Sequence, residues 1–260
     1  MRRLPFTWLA AALLLSAALH TARAQPSLDG HNTGTATSGT TTTISVTTTA
    51  NPEILIVVGA VRATGTTNPN LTISGCSLSW QQLGTQAQFN NGVPKGTAVN
   101  QWYAQSASNL SCTITITSDQ TIQNSSAAYC SFSGINTTNA FDPNASVTPP
   151  GTTHTNSTSS SSTMTESLST SLAHSTIVVT SGQTSANMGG IIATPAGASL
   201  CANVTNSGGL NFSNAFITIE AFTTTQSSLA IGLNSSQPFY SQAGTAVTAD
   251  APAGHSRLIQ

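Results

Sequence analysis

Apolar and polar residues along this chain alternate with a period of two, and helical periodicity is nearly absent. In the stretch around Thr42 to Thr49, Ile44, Val46 and Thr48 fall on one side and Ser45, Thr47 and Thr49 on the other, which predicts a strand with one dry face. An Ala50-Asn51-Pro52 turn leads into Glu53 to Val61, whose continuous β-branched run reads as a strand covered on both faces. Short strands are predicted at Leu71–Ile73 and Leu78–Trp80, and longer ones at Val99–Ala104, Ser111–Thr117 and Ser126–Ser133. Further strands are expected at Ser175–Thr180, Ala215–Thr223 and Ser228–Leu233. Met164 to Leu172 spaces apolar residues at helical intervals, but so many Ser and Thr make it a poor helix.

About ten short strands separated by turn-rich gaps predict an all-β, two-sheet antiparallel sandwich of jelly-roll type. The expected organisation is a leader over 1–24, a flexible lead over 25–39, one sandwich over 40–235 and a tail over 236–260. The Ser- and Thr-rich run Thr148 to Ser162 reads as a long surface loop, in preference to an O-glycosylated stalk.

The leader assignment rests on Met1-Arg2-Arg3, the apolar run Leu4 to Leu19 and the small-x-small triplet Ala22-Arg23-Ala24, after which cleavage before Gln25 is expected. The later apolar runs are strand-sized, so no membrane span is expected after cleavage. Beyond the leader, Arg62, Lys95 and Arg257 stand against Asp29, Glu53, Asp119, Asp142, Glu166, Glu220 and Asp250. Such a chain has no basic face for nucleic acid. With 38% apolar and 5% charged residues it can bury a core while hydroxyls and amides keep it in solution, which suits a secreted protein, extracellular or periplasmic.

Cys76, Cys112, Cys130 and Cys201 lack C-x-x-C spacing, and in an oxidising compartment an even count predicts two disulfides. If Ser111–Thr117 and Ser126–Ser133 form a hairpin, Cys112 faces Cys130 and Cys76 pairs with Cys201 by elimination.

The segments Ile73-Ser74-Gly75-Cys76-Ser77-Leu78-Ser79-Trp80, Trp102-Tyr103-Ala104, Cys112-Thr113-Ile114-Thr115-Ile116-Thr117 and Phe132-Ser133-Gly134-Ile135, in that order, carry a resemblance. Over roughly Thr40 to Leu233 the chain resembles a poorly characterised module of secreted bacterial and phage-tail-like proteins. The resemblance implies a β-sandwich at a cell or particle surface and brings no catalytic residues with it.

No nucleophile elbow, zinc motif or phosphate loop occurs, and His31, His154, His174 and His255 are scattered. Glu220 shares a strand face with Phe216 and Phe222; a carboxyl so placed could serve as the general acid of a glycan hydrolase, but no partner carboxylate is visible in the sequence. Carbohydrate binding is the more economical reading, with Tyr103, Trp102, Trp80 and Tyr240 as the flat amphipathic side chains on which a sugar ring stacks. Trp80 and Trp102 run in phase with core positions, so Tyr103 is the better exposed candidate. Asp29-Gly30-His31-Asn32 and Asp142-Pro143-Asn144 offer oxygen ligands for calcium, and Asx-turns account for both equally well. The expected protein is therefore a non-enzymatic surface or adhesion module for a polysaccharide or cell-surface glycan, with a self-associating structural protein as the alternative. Ice binding ranks last, because only Thr33–Thr49 and Thr113–Thr117 show Thr-x-Thr spacing.

Overall fold

The computed structural model describes residues 25–89, 95–142, 153–157, 164–183, 193–194, 198–208, 211–233 and 240–249, so the expected leader lies outside the described residues. Among these, every regular element is a strand. The first nine are β1 (Ser27–Ala36), β2 (Thr41–Thr47), β3 (Glu53–Ala63), β4 (Leu71–Gly75), β5 (Gln81–Gln82), β6 (Ala87–Phe89), β7 (Thr97–Ser106), β8 (Ser111–Ser118) and β9 (Ile122–Ser133). The rest are β10 (Thr153–Ser157), β11 (Met164–Leu168), β12 (Ser175–Gln183), β13 (Ala193–Thr194), β14 (Ser199–Gly208), β15 (Asn211–Phe222), β16 (Leu229–Leu233) and β17 (Tyr240–Thr248).

The strands form four antiparallel sheets: β2-β8-β4, β1-β9-β3-β7-β5 with β6 also on β7, β10-β17-β12-β15-β14, and β11-β16-β13. Three apolar cores lie between them. Ile44, Val46, Ile114 and Ile116 of the first sheet pack on Leu55, Val57 and Tyr129 of the second. Ile54, Ile56, Val58 and Phe132 on the second sheet's other face meet Val178, Ala215, Ile217 and Val247 of the third. Ile177, Val179 and Ala246 then pack on Leu168 and Ile231 of the fourth. The sheets thus stack as two sandwiches back to back, and β3 is buried over all its residues because its sheet is covered on both faces, as its unbroken apolar run requires.

The two sandwiches repeat one topology. Strand by strand, β10-β17-β12-β15-β14 and β11-β16-β13 occupy the positions of β1-β9-β3-β7-β5 and β2-β8-β4. The register agrees as well. Glu53, the first residue of β3, pairs with Ser106 and Ser133, the last residues of β7 and β9; Ser175, the first of β12, pairs with Phe222 and Thr248, the last of β15 and β17.

Polar clasps repeat too. Thr48 N donates to Leu110 O at 2.9 Å and Leu110 N to Thr48 Oγ1 at 2.8 Å; Thr170 and Gln226 make the same pair of bonds at 2.9 and 2.8 Å. The Asp29 carboxylate accepts from Thr49 N, Thr49 Oγ1 and Ala50 N, and the Asp142 carboxylate accepts from Ser171 N, Ser171 Oγ and Leu172 N. Among the described residues the fold is all-β, with antiparallel sheets packed as a β-sandwich, as expected, and two equivalent sandwiches share a central core.

Several expectations are corrected. The supposed flexible lead is β1, paired along its length with β9. Its glycines serve close approach: a Cβ on Gly30 would stand 2.6 Å from Thr47 O, and one on Gly34 2.0 Å from Thr43 O. Most of the supposed tail that is described is β17, which lies between β10 and β12 inside a sheet. Part of the supposed surface loop Thr148–Ser162 is β10, and Met164–Leu168 is the strand β11. Leu78–Trp80 form no strand; they follow a tight turn at Cys76 and Ser77, both at positive φ, which the Trp80 indole closes by donating to Gly75 O at 3.2 Å.

The disulfides are Cys76–Cys112 and Cys130–Cys201, with Cα separations of 5.3 and 6.5 Å. The expected hairpin does not exist, because β8 pairs with β2 and β4 while β9 pairs with β1 and β3 in the facing sheet. Cys112 faces the first core and Cys130 the central one, so they point apart. One bond staples the first sandwich internally; the other ties the two sandwiches together. Two disulfides fit an extracellular, oxidising environment.

Candidate functional site

After β9 the chain crosses from the first sandwich to the second. Ile135 bridges to Ala249, just past β17, and Phe141 to Val247 within it, while Asn136 N donates to Thr248 O at 3.0 Å and Thr248 N to Ala140 O at 2.8 Å. Asn136 Oδ1 accepts the N–H groups of Thr138 and Asn139, both at 2.9 Å, and so holds the crossing in a turn. Between this crossing and the end of β7 lies a cleft of 470 Å³. Gln81, Tyr103 and Gln105 line one wall and Asn139, Phe141 and Asp142 the other.

Tyr103 is the centre of that cleft. Its ring stands edge-on to Phe141, with centroids 4.8 Å apart and planes at 88°, and its hydroxyl donates to Gln81 Oε1 at 2.6 Å. Burial pushes the phenol's pKa up, so it stays a neutral donor at physiological pH. Asp142 is fully buried, its carboxylate engaged by Ser171 and Leu172. A second hollow of 240 Å³, lined by Pro52, Ala107, Ile135 and Thr137, adjoins the cleft through Gln105.

Among the described side chains, the structure does not bring the aromatic candidates together. Trp102 is 4% exposed and packs in the first core, on the strand face opposite Tyr103, and half-buried Trp80, after the Cys76–Ser77 turn, packs against the same core. Tyr240 opens β17, and its side chain lies outside the described residues. Glu220 pairs with Ile177 on the face toward the core between the third and fourth sheets; burial raises its pKa, and its Oε2 has no hydrogen-bond partner. It does not line the cleft.

His31 is exposed, and half-buried His174 sits at positive φ in the turn before β12; His255 and the side chain of His154 lie outside the described residues. The Asp29 and Asp142 carboxylates are engaged by turns far along the chain, Thr49–Ala50 and Ser171–Leu172, and not by local Asx-turns. The crossing residues Asn139 and Phe141 carry no periodic signal, so sequence reasoning missed them.

No protein-family model matches this chain, and no curated protein or solved structure matches it. The fold and cleft define its class: a disulfide-stapled double β-sandwich with an amide-lined cleft at the junction, its one carboxylate, Asp142, held by the Ser171–Leu172 turn.

Proposed function

We propose that the chain is an exported binding module that takes a neutral polysaccharide or cell-surface glycan in the cleft around Tyr103. The observation that supports this reading is the half-buried Tyr103 set among Gln81, Gln105 and Asn139, with the cleft's carboxylate already occupied. Side-chain amides donate and accept at once, and so match sugar hydroxyls, while the half-buried Tyr103 ring, braced edge-on by the buried Phe141, supplies apolar surface for the ring carbons.

Affinity electrophoresis through gels carrying a panel of neutral polysaccharides tests it. Retardation by one polymer that is lost in Tyr103→Ala and kept in Trp80→Phe supports the cleft; no retardation by any polymer overturns the reading.

A self-associating surface protein is the second reading, favoured by β14. Among the described residues it is a long, uncharged edge strand paired only with β15, and its Leu200 is 52% exposed. A size independent of concentration in sedimentation removes this alternative.

A further inference from the structure

The outer sheet β2-β8-β4 brings together the two Thr-x-Thr segments that lie far apart in sequence. Thr41, Thr117 and Thr72 form one row across its three strands, and Thr43, Thr115 and Ser74 form the next. The same alternation continues the array along β8 and β2, over Thr113 and Ser45 and then Ser111 and Thr47. Every outward position in these rows is Thr or Ser, while the inward positions between them include the core residues Ile44, Ile114 and Ile116, with Thr42 buried opposite Ile116. No further sheet covers this face among the described residues.

The spacing follows from sheet geometry. Outward side chains repeat about every 6.7 Å along a strand and about every 4.8 Å between strands. Threonine is stiff at χ1, so each hydroxyl and methyl is already near a fixed position and little side-chain entropy remains to be lost on contact with an ordered lattice.

We propose that this face is an ice-binding surface, its partner the ordered, neutral water lattice. The charge match is complete: the array carries no Lys, Arg, Asp or Glu, whose ions would each hold an oriented hydration shell of their own. Nor does it carry an aromatic ring, the side chain a crystalline polysaccharide surface would select. The fold does not impose the array either. In the second sandwich the corresponding outer sheet pairs Ser167 with Ala230.

The test is partition of the purified protein into slowly grown ice, together with inhibition of ice recrystallisation. The wild type should enter the ice and keep crystals small. Thr43→Tyr and Thr115→Tyr at the centre of the array should lose both effects, as should Thr113→Lys at its exposed flank, with thermal unfolding midpoints unchanged. Thr85→Tyr, at an exposed threonine outside the array, should retain both. Exclusion of the wild type from ice overturns the proposal, as does equal partition of the wild type and a folded array variant. Sedimentation with crystalline cellulose or chitin but not with ice overturns it as well. The ice outcomes do not depend on the Tyr103 cleft, and sedimentation of Tyr103→Ala with cellulose or chitin separates binding by the array from binding in the cleft.

Discussion

Asp29 and Asp142 hold the same position in the two sandwiches: each carboxylate gathers the N–H groups of the turn that leads into its sandwich's central strand. Asp142 is fully buried and Asp29 half-buried, which makes their losses unequal. Asp142→Ala leaves the Ser171 and Leu172 donors without their carboxylate and should cost about 2–3 kcal/mol in urea unfolding; Asp29→Ala should cost about 1 kcal/mol, since water can replace its carboxylate.

Burial pushes the Asp29 carboxyl's pKa up, but the bonds from Thr49 and Ala50 outweigh it and leave the pKa below its ordinary value. The folded-state pKa is depressed, so this contribution is present above the unfolded value and is lost as pH falls through the folded one. The difference in unfolding midpoint between wild type and Asp29→Asn should therefore shrink in acid.

Glu53 shows the opposite sign. It is fully buried, Thr48 Oγ1 donates to its Oε1 at 2.6 Å, and its Oε2 has no partner. Burial raises its pKa, so the folded state binds the proton more tightly than the unfolded chain does. Stability should fall as pH rises from the unfolded pKa through the folded one, then level off. Glu53→Gln should flatten that slope, most visibly as a higher urea midpoint near pH 8.

Gly182 marks the contact between the sandwiches, since a Cβ there would stand 2.5 Å from Val99 Cγ1 and 3.4 Å from the Ala60 Cβ. Gly182→Ala should cost about 1–3 kcal/mol by overpacking. Adding Val99→Ala removes the clashing methyl, and the double variant should be more stable than the sum of the two single changes predicts. Strict additivity in a double-mutant cycle would place the cost elsewhere.

The two disulfides should differ in access. Cys130 is 0% and Cys201 6% exposed, whereas Cys76 and Cys112 are half-buried. Under mild reduction, alkylation followed by mass spectrometry should label Cys76 and Cys112 first, and Cys130 and Cys201 only as the chain unfolds. Cys130→Ala with Cys201→Ala should lower stability by about 4 kcal/mol, from the loop entropy restored to the unfolded chain.

Residue order by itself determined the local geometry. Alternation predicted β8 with Ile114 and Ile116 inward, and the unbroken run from Glu53 predicted a strand covered on both faces, because each strand's hydrophobic period is written into its own residues. The face of Tyr103, opposite the core residue Trp102, was legible for the same reason.

Tertiary structure alone decided which strands meet. Pairing is a long-range choice, so local alternation could not show that β8 joins β2 and β4 rather than β9, which sets both the cysteine partners and the threonine array. The duplication is equally silent in sequence. Glu53 and Ser175, or Leu110 and Gln226, occupy matching places with unlike side chains, because backbone pairing and burial fix the architecture while tolerating almost any residue that suits the face.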